Sequence, residues 1–292
     1  MQRVLLIANC DKPEVVEAMK TFRPWLEQRA EIVGEPDAVS HEPIIWPKGQ
    51  PLPGAGAVIV LGGDGTLLSQ ARRVADLEMP LIGVNFGKLG FLAEFSLEDL
   101  RTHWDAVTSA DAPVSRRLLI ETRLYTNGDD KPAFRSLAMN DCVITAGRPF
   151  RMIELELKIN PHRHLGAGTG FGGDGVIVAT PSGSTAHNAS AGGPILAPDV
   201  EAMIVTPICP QSLAFRSIVV HGDDAVVVTL RQANAGTTLV IDGQLTQPLA
   251  AGDRIRFAGY PKRIRIVKNP AMGYWTRLAK KMNWAVGPGK NA

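Results

Sequence analysis

The feature that most constrains this chain is a change of rhythm near residue 115. Before it, strand-like and helix-like runs alternate. "RVLLIAN" (3–9) precedes helical spacing over 12–29, and "GAVIVLGGDG" (56–65) precedes apolar positions at helical intervals over 65–77. "MPLIGVNFG" (79–87) then precedes a segment at 96–107 for which Ser96 is an expected N-cap. Such alternation specifies a parallel sheet with crossover helices. After it, "LLIETRLYT", "RMIELELKI", "GVIVAT", "AMIVTPI" and "AVVVTLR" arrive in quick succession between turn residues. That pattern specifies an all-β, sandwich-like domain. The expected organisation is an α/β domain over 1–115, a β-rich domain over 116–270 and a helical segment over 271–292.

Composition excludes several function classes. A formal charge of +2 with no dense Lys/Arg block gives no electrostatic case for nucleic acid. No apolar stretch approaches the roughly 18 residues of a spanning helix, so no membrane partner is expected. The apolar core of "MQRVLLIANCDKPE" is too short for a secretory signal, and the expected location is the cytoplasm. Cys10, Cys142 and Cys209 lie far apart without a C-x-x-C pair, which argues against both a disulfide framework and a zinc site.

The stretch "LGGDGTLL" (61–68) sets a carboxylate among glycines where a strand gives way to a helix. In an open α/β sheet, ligands sit outside the carboxyl ends of the strands. Gly62, Gly63 and Gly65 permit positive φ and remove Cβ atoms, so main-chain N–H groups can approach an anion, and the helix beginning near Thr66 turns its positive end the same way. Asp64, unpaired there, would repel a lone phosphate; it suits metal binding or proton abstraction from a hydroxyl that attacks the phosphate. A tight turn with an aspartate cap explains the same four residues. "GVNFGKLG" lacks P-loop spacing and its Ser/Thr, and "GTGFGG" (168–173) leads into a strand rather than the helix a dinucleotide fingerprint needs.

A second dense stretch, "GDGVIVATPSGSTAHNASAGGPILAP" (173–198), ends a strand at Thr180 and then offers small and hydroxyl residues with little bulk, suited to reading a flat polar ring. A loop of this length inside a β domain is uncommon without a role.

Taken together with "NFGKLGFLAEF" (85–95) and the pair Asn140-Asp141, these motifs resemble the NAD kinase family over nearly the whole chain. The resemblance implies phosphoryl transfer from ATP, or from polyphosphate in some members, to the 2′-hydroxyl of the adenosine ribose of NAD. It implies a phosphofructokinase-like α/β domain with a parallel sheet, an all-β sandwich-like C-terminal domain, and homodimers or homotetramers. A divalent cation, Mg²⁺ or Mn²⁺, is implied mainly as a companion of ATP, with no metal site on the protein. By the same resemblance Asp64 is the general base, with Gly63 and Gly65 beside it in the ligand site. Asn140 and Asp141 hold the adenosine portion, and Asp174 is the acidic residue before the strand that leads to the small-residue loop. Ser184 and the run Thr185, Ala186, His187, Asn188 and Ser190 line the dinucleotide site. Gln244 and Arg151 are further contacts.

The departures are informative. Asp141 is one methylene shorter than the usual glutamate, and His187 stands where tyrosine is usual. Gly172 occupies a position where some members restricted to oxidised NAD carry arginine, which leans toward tolerance of NADH. Two rival readings share part of the pattern. A lipid kinase shares Gly-Gly-Asp-Gly-Thr but follows it with a different segment; an NAD-sensing protein without activity has no need of Asp64. Elsewhere, His162 and His164 read as a solvated pair and Lys88 as a surface lysine near the site. The five tryptophans read as packing residues, and 254–266 as a strand pair with one wet face.

Overall fold

The computed structural model describes residues 2–42, 44, 56–87, 90–126, 128–160 and 168–282. Lys88, His162, His164, Trp46 and Trp284 lie outside the described residues.

The strand that enters the glycines, β3 (Ala57–Gly62), is buried at all six positions, as a central parallel strand covered on both faces must be. It runs parallel to β1 (Gln2–Ala8) and β4 (Pro80–Asn85), and β1 also pairs in parallel with β2 (Ala30–Gly34). Two helices cross over between them: α1 (Pro13–Glu27), with proline tolerated in its first turn, and α2 (Asp64–Arg73). The sheet order is β2-β1-β3-β4-β18-β5, where β5 is Val114–Arg117 and β18 is Ile264–Val267. Ser96 caps α3 (Leu97–Thr102) through a capping box with Asp99. The single helix expected over 96–107 is broken at His103, and α4 (Trp104–Thr108) follows, with Trp104 and Val107 in the same core as Leu100.

The chain divides into two units, Met1–Ser115 with Ile264–Ala292, and Arg116–Arg263. The β-rich region expected over 116–270 is therefore shorter at its end. Its last strand, β18, pairs in parallel with β4, Ile266 beside Leu81, and buries Ile264, Ile266 and Val267. The terminal helix, α6 (Tyr274–Lys281), belongs to the first unit as well.

The second unit consists of two six-stranded antiparallel sheets. One has the order β10-β9-β14-β17-β6-β7: β6 (Ile120–Tyr125), β7 (Phe134–Ala138), β9 (Ile153–Ile159), β10 (Thr169–Gly173), β14 (Ala225–Gln232) and β17 (Arg254–Gly259). The other has the order β13-β12-β11-β8-β15-β16: β8 (Asp141–Thr145), β11 (Gly175–Ala179), β12 (Ala202–Ile208), β13 (Ile218–His221), β15 (Thr238–Ile241) and β16 (Leu245–Pro248). Alternation along β11 decides what each face does. Val176 and Val178 enter the core shared by the two sheets, while Ile177 and Ala179 face the other way, against Ala191 and Leu196 of the loop that follows. That outer face carries the candidate ligand site. No helix among the described residues is long and apolar enough to cross a membrane.

Candidate functional site

At the carboxyl end of β3, Gly62 and Gly63 lead straight into α2, whose first residue is Asp64. The glycines do not serve positive φ, contrary to expectation: Gly63 is extended at φ −155°, and neither Gly62 nor Gly65 is among the positive-φ residues. Gly62 instead serves for room: a Cβ there would lie 2.5 Å from Thr66 Oγ1, whereas one on Gly63 would stand at ordinary contact distance, 3.4 Å from Lys12 Nζ and 3.6 Å from Asn85 Oδ1. The C-terminal ends of β1, β3 and β4 thus bring Asn9, Lys12, Gly63 and Asn85 together, with Asn9 Nδ2 donating to Thr66 Oγ1 at 3.0 Å. Lys12 escaped the sequence reading. Its only signal was position, just past the carboxyl end of a parallel strand.

The Asp64 carboxylate is not unpaired, a second correction. Oδ2 accepts from the Phe91 N–H at 2.7 Å, and Oδ1 accepts from Leu92 and Ala93 at 3.1 and 2.9 Å. The segment "GFLA" that follows β4 supplies these donors, and sequence alone gives no hint of the pairing. Gly90 is part of the seat: a Cβ there would lie 2.0 Å from Asp64 Oδ1.

In the second unit the start of the small-residue loop folds over the turn before β8. Thr180 N donates to Asn140 O at 2.8 Å, and a Cβ on Gly183 would fall 2.0 Å from that same carbonyl oxygen. This packing sets Ala186 and His187 beside Asn140 and Asp141, around a cavity of about 270 Å³ that Asp242 and Gly243 complete. Asp242 opens the hairpin between β15 and β16. With φ +49° at Asp242 and +67° at Gly243, and Gln244 N donating to Ile241 O at 2.9 Å, "DG" makes the turn whose twist suits two antiparallel strands. The Asp242 carboxylate accepts from the N–H groups of Met139, Asn140 and Asp141. Asp141, by contrast, is pushed up to about 7, first by burial and then by the charge of Asp242, with the main-chain N–H of His187 pulling the other way. Asn140 Oδ1 is buried without a hydrogen-bond partner among the described residues. A buried polar atom of that kind, facing a cavity, asks for a ligand.

The remaining expected residues fall into four groups. Thr185 and Ala186 are half-buried, and His187 and Ser190 are exposed, all on the loop. Ser184 and Asn188 are fully buried. Ser184 Oγ donates to Pro181 O at 2.7 Å and accepts from Leu196 N at 3.1 Å. Asn188 Nδ2 reaches the Ser184 and Pro194 carbonyls, and its Oδ1 accepts from Thr206 Oγ1 at 2.7 Å. These two side chains tie the loop together, as a long turn-rich segment over a sheet requires. Asp174 sits at the opposite end of β11, where Gly175 pairs with Thr145, while Asp141 pairs with Ala179. Those pairs are four residues apart, about 13 Å along the strand. The Asp174 carboxylate accepts from the Cys209 thiol and holds that thiol above its usual range. Gly172 is near that end too, where a Cβ would lie 2.9 Å from the Met152 thioether sulfur. Arg151 is exposed just before β9, its carbonyl accepting from Asn234 Nδ2, and Gln244 is half-buried beyond the hairpin turn.

Among the described residues no cluster of three or more His, Cys, Asp or Glu could hold a metal ion. A divalent cation that arrives on nucleotide phosphates needs no such cluster.

Two family models match the chain: the ATP-NAD kinase N-terminal domain over residues 53–112 and the ATP-NAD kinase C-terminal domain over 139–269. An NAD kinase of Rhodopirellula baltica is 34% identical over 283 residues, covering 97% of this chain and 87% of its own. One of Syntrophotalea carbinolica is 35% identical over 295 residues, covering 97% and 99%. Among solved structures, yeast NADH kinase complexed with NADH superposes with a TM-score of 0.83 at 22% identity, covering 100% of this chain and 90% of that one. An NAD kinase from Archaeoglobus fulgidus in complex with ATP superposes with a TM-score of 0.69 at 23% identity, covering 97% and 99%.

Proposed function

The chain belongs to the NAD kinase family, and from that premise we propose that it transfers the terminal phosphoryl group of ATP to the 2′-hydroxyl of the adenosine ribose of NAD, giving NADP. It is a phosphotransferase with an alcohol as acceptor. The observation that carries the acceptor assignment is the cavity of about 270 Å³ on which Asn140, Asp141, Ala186 and His187 converge from separate parts of the chain. Asn140 Oδ1, buried and unpartnered among the described residues, is a ready acceptor for a ribose or base N–H or O–H.

In the first unit, Lys12 and the first turn of α2 supply charge and dipole for donor phosphates. A divalent cation belongs to this proposal as the companion of those phosphates, where it neutralises charge. In this reading Asp64 takes the proton, and its hydrogen bonds favour one atom for it. A carboxylate offers about four lone-pair sites, and here Oδ1 already accepts two N–H groups while Oδ2 accepts one. The remaining site is on Oδ2. Phosphoryl transfer leaves little covalent work to the protein, so positioning and charge neutralisation carry most of the effect.

Incubating the protein with ATP, Mg²⁺ and NAD, and scoring NADP with an NADP-specific dehydrogenase, tests this reading. NADP formation at catalytic turnover is expected. Binding of NAD without NADP formation replaces the kinase by a sensor. Polyphosphate in place of ATP, and NADH in place of NAD, extend the same assay to donor and acceptor range. A homodimer or homotetramer and a cytoplasmic location complete the proposal. The exposed apolar residues Leu213, Ile218 and Val219, on and before the edge strand β13, support the former, which light scattering tests.

A further inference from the structure

The amides that seat Asp64 are themselves held from the far end of the chain. Arg277, on the buried face of α6, is 0% exposed, and its Nη1 lies 2.7 Å from Glu94 Oε1, which is likewise buried. The same Nη1 donates to the Phe91 carbonyl at 3.3 Å, and Nη2 donates to Met272 O at 3.2 Å. Glu94 is gripped on its other side: Oε2 accepts from Asn269 N, and its own carbonyl accepts from Asn269 Nδ2, both at 3.0 Å. Lys281 adds a cation 4.2 Å from the centre of the Phe91 ring. Residues 91 to 94 therefore have α6 and the turn before it on one side and Asp64 on the other.

A buried ion pair is a poor way to gain stability. Desolvating a guanidinium and a carboxylate costs several kcal/mol that the pair barely returns, and apolar side chains of similar volume pack as well or better. What a guanidinium supplies that they cannot is a planar fork that fixes several acceptors at once. Here those acceptors are Glu94 and the carbonyl of Phe91, the residue whose N–H meets Asp64 Oδ2.

We propose that Arg277 is a positioning residue for phosphoryl transfer: through Glu94 and the Phe91 carbonyl it holds the three amides that orient the Asp64 carboxylate, which makes the C-terminal helix a working part of the active site. The proposal rests on the reading of Asp64 as proton acceptor.

The test is steady-state kinetics of NADP formation by the full chain, with NAD affinity measured separately by calorimetry. Arg277→Met, which keeps the volume, is expected to lower kcat by about 10²-fold, the loss a misplacement of roughly 1 Å brings. The Kd for NAD should stay within about twofold of the parent, because the acceptor residues lie in the other unit. Arg277→Lys should recover part of the loss, since it restores the charge without the fork. A merely structural role would lower the amount of folded protein without splitting kcat from Kd. A folded Arg277→Met protein with parental kcat overturns the proposal. Should that variant not fold, Gly90→Ala reads the same seat without touching α6. Its Cβ would displace the Asp64 carboxylate, and a kcat loss above about tenfold is expected, whereas parental kcat again overturns the proposal. Asp64→Asn separates the two ideas: parental turnover there removes the base itself, while an inactive Asp64→Asn beside a fully active Arg277→Met removes the relay alone.

Discussion

Asp64 and Asp242, one in each unit, both rest their carboxylates on three consecutive main-chain N–H groups, those of Phe91, Leu92 and Ala93 in one case and of Met139, Asn140 and Asp141 in the other. The surroundings differ. Asp64 opens a helix and is half-buried, while Asp242 stands in a hairpin turn, buried, beside a second carboxylate on Asp141. The same seat therefore serves two purposes. Around Asp64 it aims a reacting group. Around Asp242 it braces the turn that presents Asn140 and Asp141 to the ligand cavity.

Replacing each carboxylate breaks the likeness in a measurable way. Asp64→Asn keeps the shape of the seat but removes the proton acceptor, so kcat should fall by a factor of about 10² or more with NAD affinity unchanged. Turnover and calorimetry on the same preparation check both halves. Asp242→Ala should do the reverse. It leaves buried N–H groups at 139–141 without acceptors, at about 1–3 kcal/mol each, partly offset because the repulsion on Asp141 disappears. A net destabilisation on the order of 3 kcal/mol in urea unfolding is expected, together with a raised KM for NAD. If Asp242→Ala instead lowered kcat at unchanged stability, the two seats would not be divided as drawn.

The sequence carried the Asp64 half and the Asp242 half unequally well. Gly-Gly-Asp-Gly at the end of an apolar strand, the Asn140-Asp141 pair and the small-residue loop were all readable, because each is local and the change of period marks which fold each belongs to. The partners of the carboxylates were not. Asp64 meets donors 27 to 29 residues away, and Asp242 meets donors more than 100 residues away, through main-chain atoms that every residue type possesses. Arg277 and Glu94 left a faint trace, a lone acid in the apolar run "GFLAEF" and a basic residue in "GYWTRLAKK" on what proves to be the buried face of α6. An acid in an apolar run and an arginine on the buried face of a helix are a signal for a buried pair, but a sequence separation of 183 residues hides it. The β18 strand misled for a related reason. Its alternation suits a sheet of either kind, and only the parallel register with β4 assigns it to the first unit.

Asp141 sharpens the comparison through pH, because it shares its setting with a second carboxylate, that of Asp242. Its carboxyl is raised from 3.8 to about 7 in the folded protein. Between those values the folded chain holds a proton that the unfolded chain has released, so stability is greatest below about pH 4 and falls as pH rises toward 7. Above that the whole loss is present. Asp141→Asn removes the ionisable group, and at pH 8 it should be more stable than the parent by about 4 kcal/mol, and by little at pH 4. Urea unfolding at the two pH values checks the sign. Asp242 and the exposed His187 lie nearby, and a His187→Gln control should leave the difference in place. A variant less stable than the parent at pH 8 would mean that Asp141 is ionised at no cost there.

The smallest expected effect comes from Gly243, one of the two glycines beside the seats. Gly90 is required by proximity, with the Asp64 carboxylate 2.0 Å from where a Cβ would stand. Gly243 has nothing within 4 Å of its missing Cβ, but its φ is +67°. Gly243→Ala therefore meets no clash and pays only for a left-handed backbone, about 1 kcal/mol. Thermal unfolding should register a fall of roughly 2–4 °C for a chain of this size, with kcat unchanged. A drop in kcat from Gly243→Ala would show that the hairpin turn reaches the reacting groups and is more than a brace, and the contrast between the aimed carboxylate and the bracing one would have to be redrawn at that residue.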